Sequence, residues 1–367
     1  MADEHLDPED IRDFTQAKFE RNIPRFAMGP TDATWEVTNA CNLRCKHCFL
    51  PDASAPLTDE LSTEEGYALI DNLVEAGVRS LLFSGGEPLL RSDLEQLARY
   101  ASKRLTIWLQ TNGWFLEEKA EALKGLGFEQ IQVSLDGATA ETHDYFRGKG
   151  SFERALRGVR KCVELGFPSV GIGCVVSQKN LAEVPRMVEM ALELRVNAFE
   201  TLTFMPSGRG ERLSRLALTA EQRMNLYRYL AETQQRLRQR MVVGSEEPYM
   251  YVENRALLEA CAHPHSRAVG IGCGAGLVGC AVKPNGKVFP CVGVTVEIGD
   301  LRRERLKDVW HTSGVLAALR NRRDIKGKCG RCEYKFVCSG CRGTAYALTG
   351  DVMGEDPTCW YEPKLGA

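Results

Sequence analysis

A chain of 367 residues, 44 % hydrophobic and 26 % charged, is long enough for a large domain plus a smaller one and too apolar to remain disordered. Forty-seven basic residues against forty-nine acidic ones leave a formal charge of -2, so no global field recruits nucleic acid or an anionic membrane surface. No stretch approaches the apolar run of about 18 residues that reads as a membrane span, and the acidic opening MADEHLDPED lacks the apolar core of an export signal. A cytoplasmic protein is expected.

Residues 1–32 read as an N-terminal extension. From 33 to 240, short β-rich runs alternate with longer helical patterns, the order that a parallel α/β sheet requires. The expected strands are 33–40, 80–87, 105–113, 130–137, 169–177 and 198–206. Between them, TEEGYALIDNLVEAG, SDLEQLARYASK, SFERALRGVRKCVELG and AEVPRMVEMALEL repeat apolar residues at helical spacing. Six right-handed β/α units are too few to close an eight-stranded barrel, so an open partial (β/α)6 barrel is expected. A polar helix, LTAEQRMNLYRYLAETQQRLRQR, ends this domain, and 241–272 reads as a bridging region. The remainder, 273–367, carries short strands around a PNG turn, one helix near KDVWHTSGVLAALR, and cysteine-bearing loops with little periodicity. Such a segment needs metal crosslinks to hold its shape.

Fourteen cysteines in a chain without an export signal point to metal or cluster binding, because cytosolic thiols stay reduced. Cys41, Cys45 and Cys48 form a C-x3-C-x2-C loop directly after the first expected strand. Three thiolates on a four-iron cubane leave one iron open to a ligand. A structural zinc site would want a fourth protein ligand, for which only His47 lies near. Cys162, Cys174 and Cys261 stand alone and read as small buried residues.

With SGGEP at the end of the second strand, this loop resembles the radical S-adenosylmethionine (SAM) superfamily. The resemblance implies an open iron that chelates the amino and carboxylate groups of SAM, and reductive cleavage to a 5'-deoxyadenosyl radical. His47 fills a position that is aromatic in that family. Ser84, Gly85, Gly86 and Glu87 match the motif implied to hold the methionine amino group. The residue types suit that role, since glycines admit close backbone approach and a carboxylate accepts from an ammonium. Asn112 in TNG, and Ser134 and Asp136 in SLDG, fall where the family binds ribose and carboxylate. Arg147 is a candidate partner for the methionine carboxylate.

Eight further cysteines follow: Cys273, Cys280, Cys291, Cys329, Cys332, Cys338, Cys341 and Cys359. Cys273 precedes twelve residues, Gly286, four residues and Cys291; Cys329 and Cys332 are two residues apart, and Cys338 lies five further on. This spacing resembles the SPASM domain, an auxiliary iron-sulfur domain of radical enzymes. One departure is the two-residue gap between Cys338 and Cys341, where the family has three. The resemblance implies two auxiliary clusters, Cys273, Cys280, Cys291 and Cys341 on the inner one and Cys329, Cys332, Cys338 and Cys359 on the outer. Cys280 is the weakest member, because its expected strand would bury it.

The expectation is therefore an oxidoreductase with SAM and three [4Fe-4S] clusters, served by a flavodoxin- or ferredoxin-type electron donor. CGRCEYKFVCSGCRGTAYALTGDVMGEDPTCWYEP is similar to haem-pathway radical enzymes, which implies oxidative decarboxylation of tetrapyrrole side chains. CGAGLVGC, MPSGRG and SLDGATAETHDYFRGKGSF are similar to the mycofactocin maturase family, which implies a small peptide substrate and leaves room for a peptide carrier protein. A non-catalytic iron-sulfur electron carrier would need neither SGGEP nor SLDG. His143, Tyr145, Glu200, His263, His265 and Tyr346 are further pocket candidates.

Overall fold

The computed structural model describes residues 7–50, 57–254, 258 and 272–365. Cys261, His263 and His265 lie outside the described residues. Six parallel strands form its centre: β1 (Asp32–Thr38), β2 (Ser80–Gly85), β3 (Thr106–Thr111), β4 (Phe128–Ser134), β5 (Ser169–Val176) and β6 (Ala198–Thr203). They pair in sequence order, as consecutive right-handed β/α units must.

Alternation along these strands decides where the cleft lies. Trp35, Leu81, Phe83, Ile107, Leu109, Ile131, Val133, Val170 and Ile172 are almost fully buried in one apolar core. Successive side chains point to opposite faces, so Thr34, Ser84, Gln110, Gln132, Ser134 and Glu200 share the other face. A closed barrel fills its interior with branched apolar residues. Here the inner face mixes polar side chains and glycines with a few apolar ones such as Leu82 and Leu202, and it lines an open cleft.

Local sequence chemistry sets the covering helices. Helix α2 (Thr63–Glu75) opens on a capping box, Ser62 Oγ accepting from Glu65 N while Glu65 accepts from Ser62 N. Helices α3 (Leu94–Ala101), α4 (Leu116–Lys124), α5 (Ala140–Arg147), α6 (Ser151–Glu164) and α7 (Val184–Glu193) follow, and α8 (Ala220–Leu237) opens on a second capping box, Thr219 with Gln222.

The structure adds three features to the sequence reading. The bridging region contributes a seventh parallel strand, β7 (Val242–Ser245), against β6. Four residues are too few to show a strand period. In the cysteine-rich segment, β8 (Gly279–Val282) pairs in parallel with the far edge of β1, placing Cys280 opposite Ala33, so one sheet runs through both domains. Strands β9 (Lys287–Phe289) and β10 (Gly299–Asp300) continue it antiparallel around the PNG turn. The single helix expected near 307–320 is two, Leu306–Thr312 and Gly314–Arg320, broken where Ser313 is extended and its side chain caps Leu316 N.

Residues 1–32 hold more than an extension. Pro8–Met28 forms a helix, α1, capped by Asp7 and started by Pro8. Phe19 and Phe26 pack with Leu277 and Phe336 of the cysteine-rich domain, and Trp310 Nε1 donates to Phe26 O at 2.7 Å. No described helix is long and apolar enough to cross a membrane.

Candidate active site

The loop after β1 carries Cys41, Cys45 and Cys48 to one rim of a cleft enclosing about 1280 Å³ of empty space. Ser84, Gly85, Gly86, Asn112, Ser134 and Arg147 line the same cleft. Asp136 and Glu87 do not; both are fully buried behind its wall.

The glycine pair is required by a close approach. A Cβ on Gly86 would stand 2.2 Å from Ala40 O, and one on Gly85, whose φ is +129°, 2.5 Å from Thr38 O. Gly86 N donates to Thr38 O and Glu87 N to Ala40 O, each at 2.8 Å, so this turn clamps the chain entering the cysteine loop. Glu87 is braced by the protein itself. Its Oε1 accepts from Thr111 Oγ1 (2.7 Å) and Leu89 N (3.1 Å), and its Oε2 from Asn112 N (2.8 Å). Burial pushes this carboxyl above its ordinary value, against those hydrogen bonds. The braced Asn112 then reaches Asn42 Oδ1 at 2.9 Å and lies 3.9 Å from Cys41 Sγ.

Asp136 is likewise an anchor. It accepts from Val175 N (2.9 Å) and Arg147 Nε (2.5 Å), and stands 3.1 Å from His47 Nε2. Burial alone would raise its pKa, but Arg147 and His47 outweigh burial and hold it well below the usual carboxylate range. His47 and Arg147 do line the cleft, so the pair held by Asp136 faces the ligand space. His143 supports them from behind: its Nδ1 accepts from Asp136 N at 3.1 Å, and burial, then Arg147, lowers its pKa to about 4. Tyr145 stacks under Lys46 and Lys179, and Tyr346 meets Thr295.

Sequence reasoning missed three cleft features. Arg209, in the MPSGRG segment, donates from its backbone N to Cys48 O (3.0 Å) and from Nε to Cys45 O (3.1 Å), strapping the cysteine loop from the far side of the barrel. Glu246, after β7, faces the cleft beside Glu200. Gln132 Nε2 donates to Glu200 (3.0 Å) and approaches Glu246 (3.5 Å). It crosses β5 at Gly173, where a Cβ would lie 3.3 Å from that amide. Glu246 opens onto the cleft although protein surrounds it, and burial together with Glu200 raises its pKa to about 7. The third is Val292, the neighbour of Cys291, which reaches the cleft from the cysteine-rich domain.

The later cysteines separate into groups. Cys329, Cys332, Cys338 and Cys359 line one pocket of about 330 Å³. Asp356 N donates to Cys329 Sγ and Gly340 N to Cys338 Sγ, both at 3.4 Å. Cys273 lies beside both Cys291 and Cys341. Cys280 stands apart in β8 within the apolar core, with Asp32 as its charged neighbour. Burial pushes Cys291 and Cys280 up to about 12 and Cys359 to about 11, so these thiols ionise only where a cation repays the cost.

Among the described residues no three His, Cys, Asp or Glu side chains converge on a single-ion position. In the cysteine loop, Asn42 Nδ2 and His47 Nδ1 are buried without a protein partner, which suits a polar ligand on its cleft side.

An open parallel barrel whose rim carries a three-thiol loop, joined to a satellite domain with more thiols, defines an iron-sulfur enzyme of the partial-barrel class. Comparison makes this specific. The sequence profile of the Radical SAM superfamily matches residues 35–191, and that of the SPASM iron-sulfur cluster-binding domain matches 273–333. An AdoMet-dependent heme synthase of Methanosarcina barkeri is 37 % identical over 341 residues, covering 91 % of this chain and 97 % of that protein. The mycofactocin maturase MftC of Mycobacterium tuberculosis is 32 % identical over 351 residues, covering 92 % and 86 %. Among solved structures, Streptococcus suis SuiB bound to S-adenosylmethionine aligns with a TM-score of 0.73 at 16 % identity, covering 98 % of this chain and 82 % of that one. The chain belongs to the radical SAM superfamily and carries a SPASM domain; it is an enzyme that binds SAM and iron-sulfur clusters.

Proposed function

We propose that this enzyme oxidatively decarboxylates a propionate-type side chain of a tetrapyrrole. One observation carries the reading: a single cleft is bounded by Cys41, Cys45 and Cys48 at one rim and reached at another by Val292, next to Cys291. A substrate held there lies between the source of a radical and a site able to take up an electron. The groups bound at those cysteines supply the 5'-deoxyadenosyl radical and the electron acceptor. The substrate loses one hydrogen atom to that radical, then carbon dioxide and one electron, and a vinyl group remains.

The residues divide this work. Cys41, Cys45 and Cys48 hold the initiating cluster with one iron open, and Arg147, oriented by Asp136, presents a guanidinium to the methionine carboxylate. Gly85, Gly86, Asn112 and Ser134 shape the rest of the SAM site. We assign Cys329, Cys332, Cys338 and Cys359 to the outer auxiliary cluster, and Cys273, Cys291 and Cys341 to the inner one, with Cys280 as a core residue outside it. Three clusters follow, fed by a flavodoxin- or ferredoxin-type donor in the cytoplasm, where thiols stay reduced.

Identity of 37 % along nearly the whole length of a heme synthase supports a tetrapyrrole over a peptide. Reconstituted enzyme, reduced anaerobically with SAM and iron-coproporphyrin III, should give 5'-deoxyadenosine together with a porphyrin that has lost carbon dioxide. Unchanged porphyrin beside decarboxylation of a short peptide would replace this reading with peptide maturation.

A further inference from the structure

Two buried guanidinium groups lie among the auxiliary cysteines. Arg322 is shared between the groups: its strongest charged neighbours are Cys273 of the inner set and Cys338 of the outer, and it donates to Cys273 O and Phe336 O. Arg342 is not shared in this way. Its Nη1 donates to Val352 O (3.1 Å) and Gly354 O (2.6 Å), while Nε and Nη2 are buried with no hydrogen-bond partner. Among the described residues no carboxylate hydrogen-bonds to those two nitrogens, although the residue is only 3 % exposed. A buried cation with idle donors is costly unless an anion faces it.

The facing group is the outer thiol set. A Cβ on Gly340 would lie 2.9 Å from Arg342 Nη2 and 3.0 Å from Cys329 Sγ, so the guanidinium and the thiol meet across a bare glycine. Gly340 has φ +65°, which favours glycine there in any case. Carboxylates lie near both sets, Asp356 and Glu247 beside Cys341 and Asp356 and Glu355 beside Cys329, so the guanidinium is the local counterweight at Cys329.

We propose that Arg342 is the built-in counter-charge of the outer auxiliary cluster, making that cluster easier to reduce than it would be without the guanidinium. This rests on the assignment of Cys329, Cys332, Cys338 and Cys359 as a cluster site. A four-thiolate cluster is anionic, and one more electron costs less beside a fixed cation in a low-dielectric interior. A cluster held by Cys329, Cys332, Cys338 and Cys359 would supply a site for one electron, and Arg342 would favour its reduced state.

Redox titration of the reconstituted full chain, followed by electron paramagnetic resonance, tests this. Arg342→Gln should lower the midpoint of the outer cluster by about tenfold in the reduced-to-oxidised ratio, about 59 mV for one electron. Arg342→Lys, which keeps the charge, should retain most of the wild-type value. An outer cluster with the same midpoint in all three proteins overturns the proposal, as does a Lys variant shifted as far as the Gln variant. If Arg342→Gln fails to load iron, Arg342→Met decides, because it keeps an unbranched stem without the charge; an unchanged midpoint there also overturns it. Iron content separates the two ideas. If Cys332→Ala leaves the iron count unchanged, the cluster assignment has failed, whereas a full count with unmoved potentials rejects Arg342 alone.

Discussion

Arg147 Nε donates to Asp136 Oδ2 at 2.5 Å, and both side chains are shut away from bulk water. The arginine reaches the cleft wall and the aspartate does not, so one residue meets ligand and the other holds it in place. Val175 N and His47 complete the aspartate's surroundings, tying β5 and the cysteine loop to the same carboxylate.

Asp136→Asn should therefore act through Arg147 and His47. Removing one partner of a buried ion pair leaves the other charge uncompensated, a loss of about 3–5 kcal/mol. Denaturant unfolding of the variant should show that loss, and 5'-deoxyadenosine formation should fall with it. The effect should be retained near neutral pH and shrink in strong acid. The sign follows from a folded-state pKa held below the unfolded value: stability is present above the unfolded pKa and disappears as pH falls through the folded one.

Cys280→Ala should leave the iron content of reconstituted enzyme unchanged, because this thiol packs between Asp32 and the apolar core. Cys273→Ala should lower it, since that thiol faces both Cys291 and Cys341. Iron analysis of the two variants side by side checks the three-thiol assignment, and equal losses would restore Cys280 as a ligand.

The Gln132, Glu200 and Glu246 group gives a pH signature. Glu246 has a folded pKa raised from 4.5 to about 7, and Glu200 is raised too. The folded state thus holds more protons than the unfolded chain across that window, and stability falls as pH rises through it. Unfolding midpoints of wild type and Glu246→Gln should diverge between those pH values, with the variant showing the shallower fall.

The six central strands and the first cysteine loop were legible because their signals are local. Cys41, Cys45 and Cys48 sit within eight residues, and the strands are short β-rich runs whose buried residues recur at every second position. What escaped depends on distance along the chain. Strand β7 is four residues long and exists because β6 offers it an edge. Helix α1 has sparse apolar positions that acquire meaning only against Phe336 and Leu277, some three hundred residues away. Motif matching placed Glu87 and Asp136 beside the cleft but not their burial behind its wall, because burial leaves no trace in spacing. Arg342 adjoins Cys341 in sequence, yet its facing thiol is Cys329, brought there by the turn at Gly340.

The proposal that one cleft joins the radical's source to the electron's exit is tested most directly by counting products. Anaerobic turnover with SAM, a one-electron reductant and iron-coproporphyrin III would be compared in wild type and in Cys291→Ala. Wild type should form 5'-deoxyadenosine and decarboxylated porphyrin in equal amounts, and Cys291→Ala should still form 5'-deoxyadenosine while decarboxylation is lost. Full decarboxylation by Cys291→Ala would contradict it.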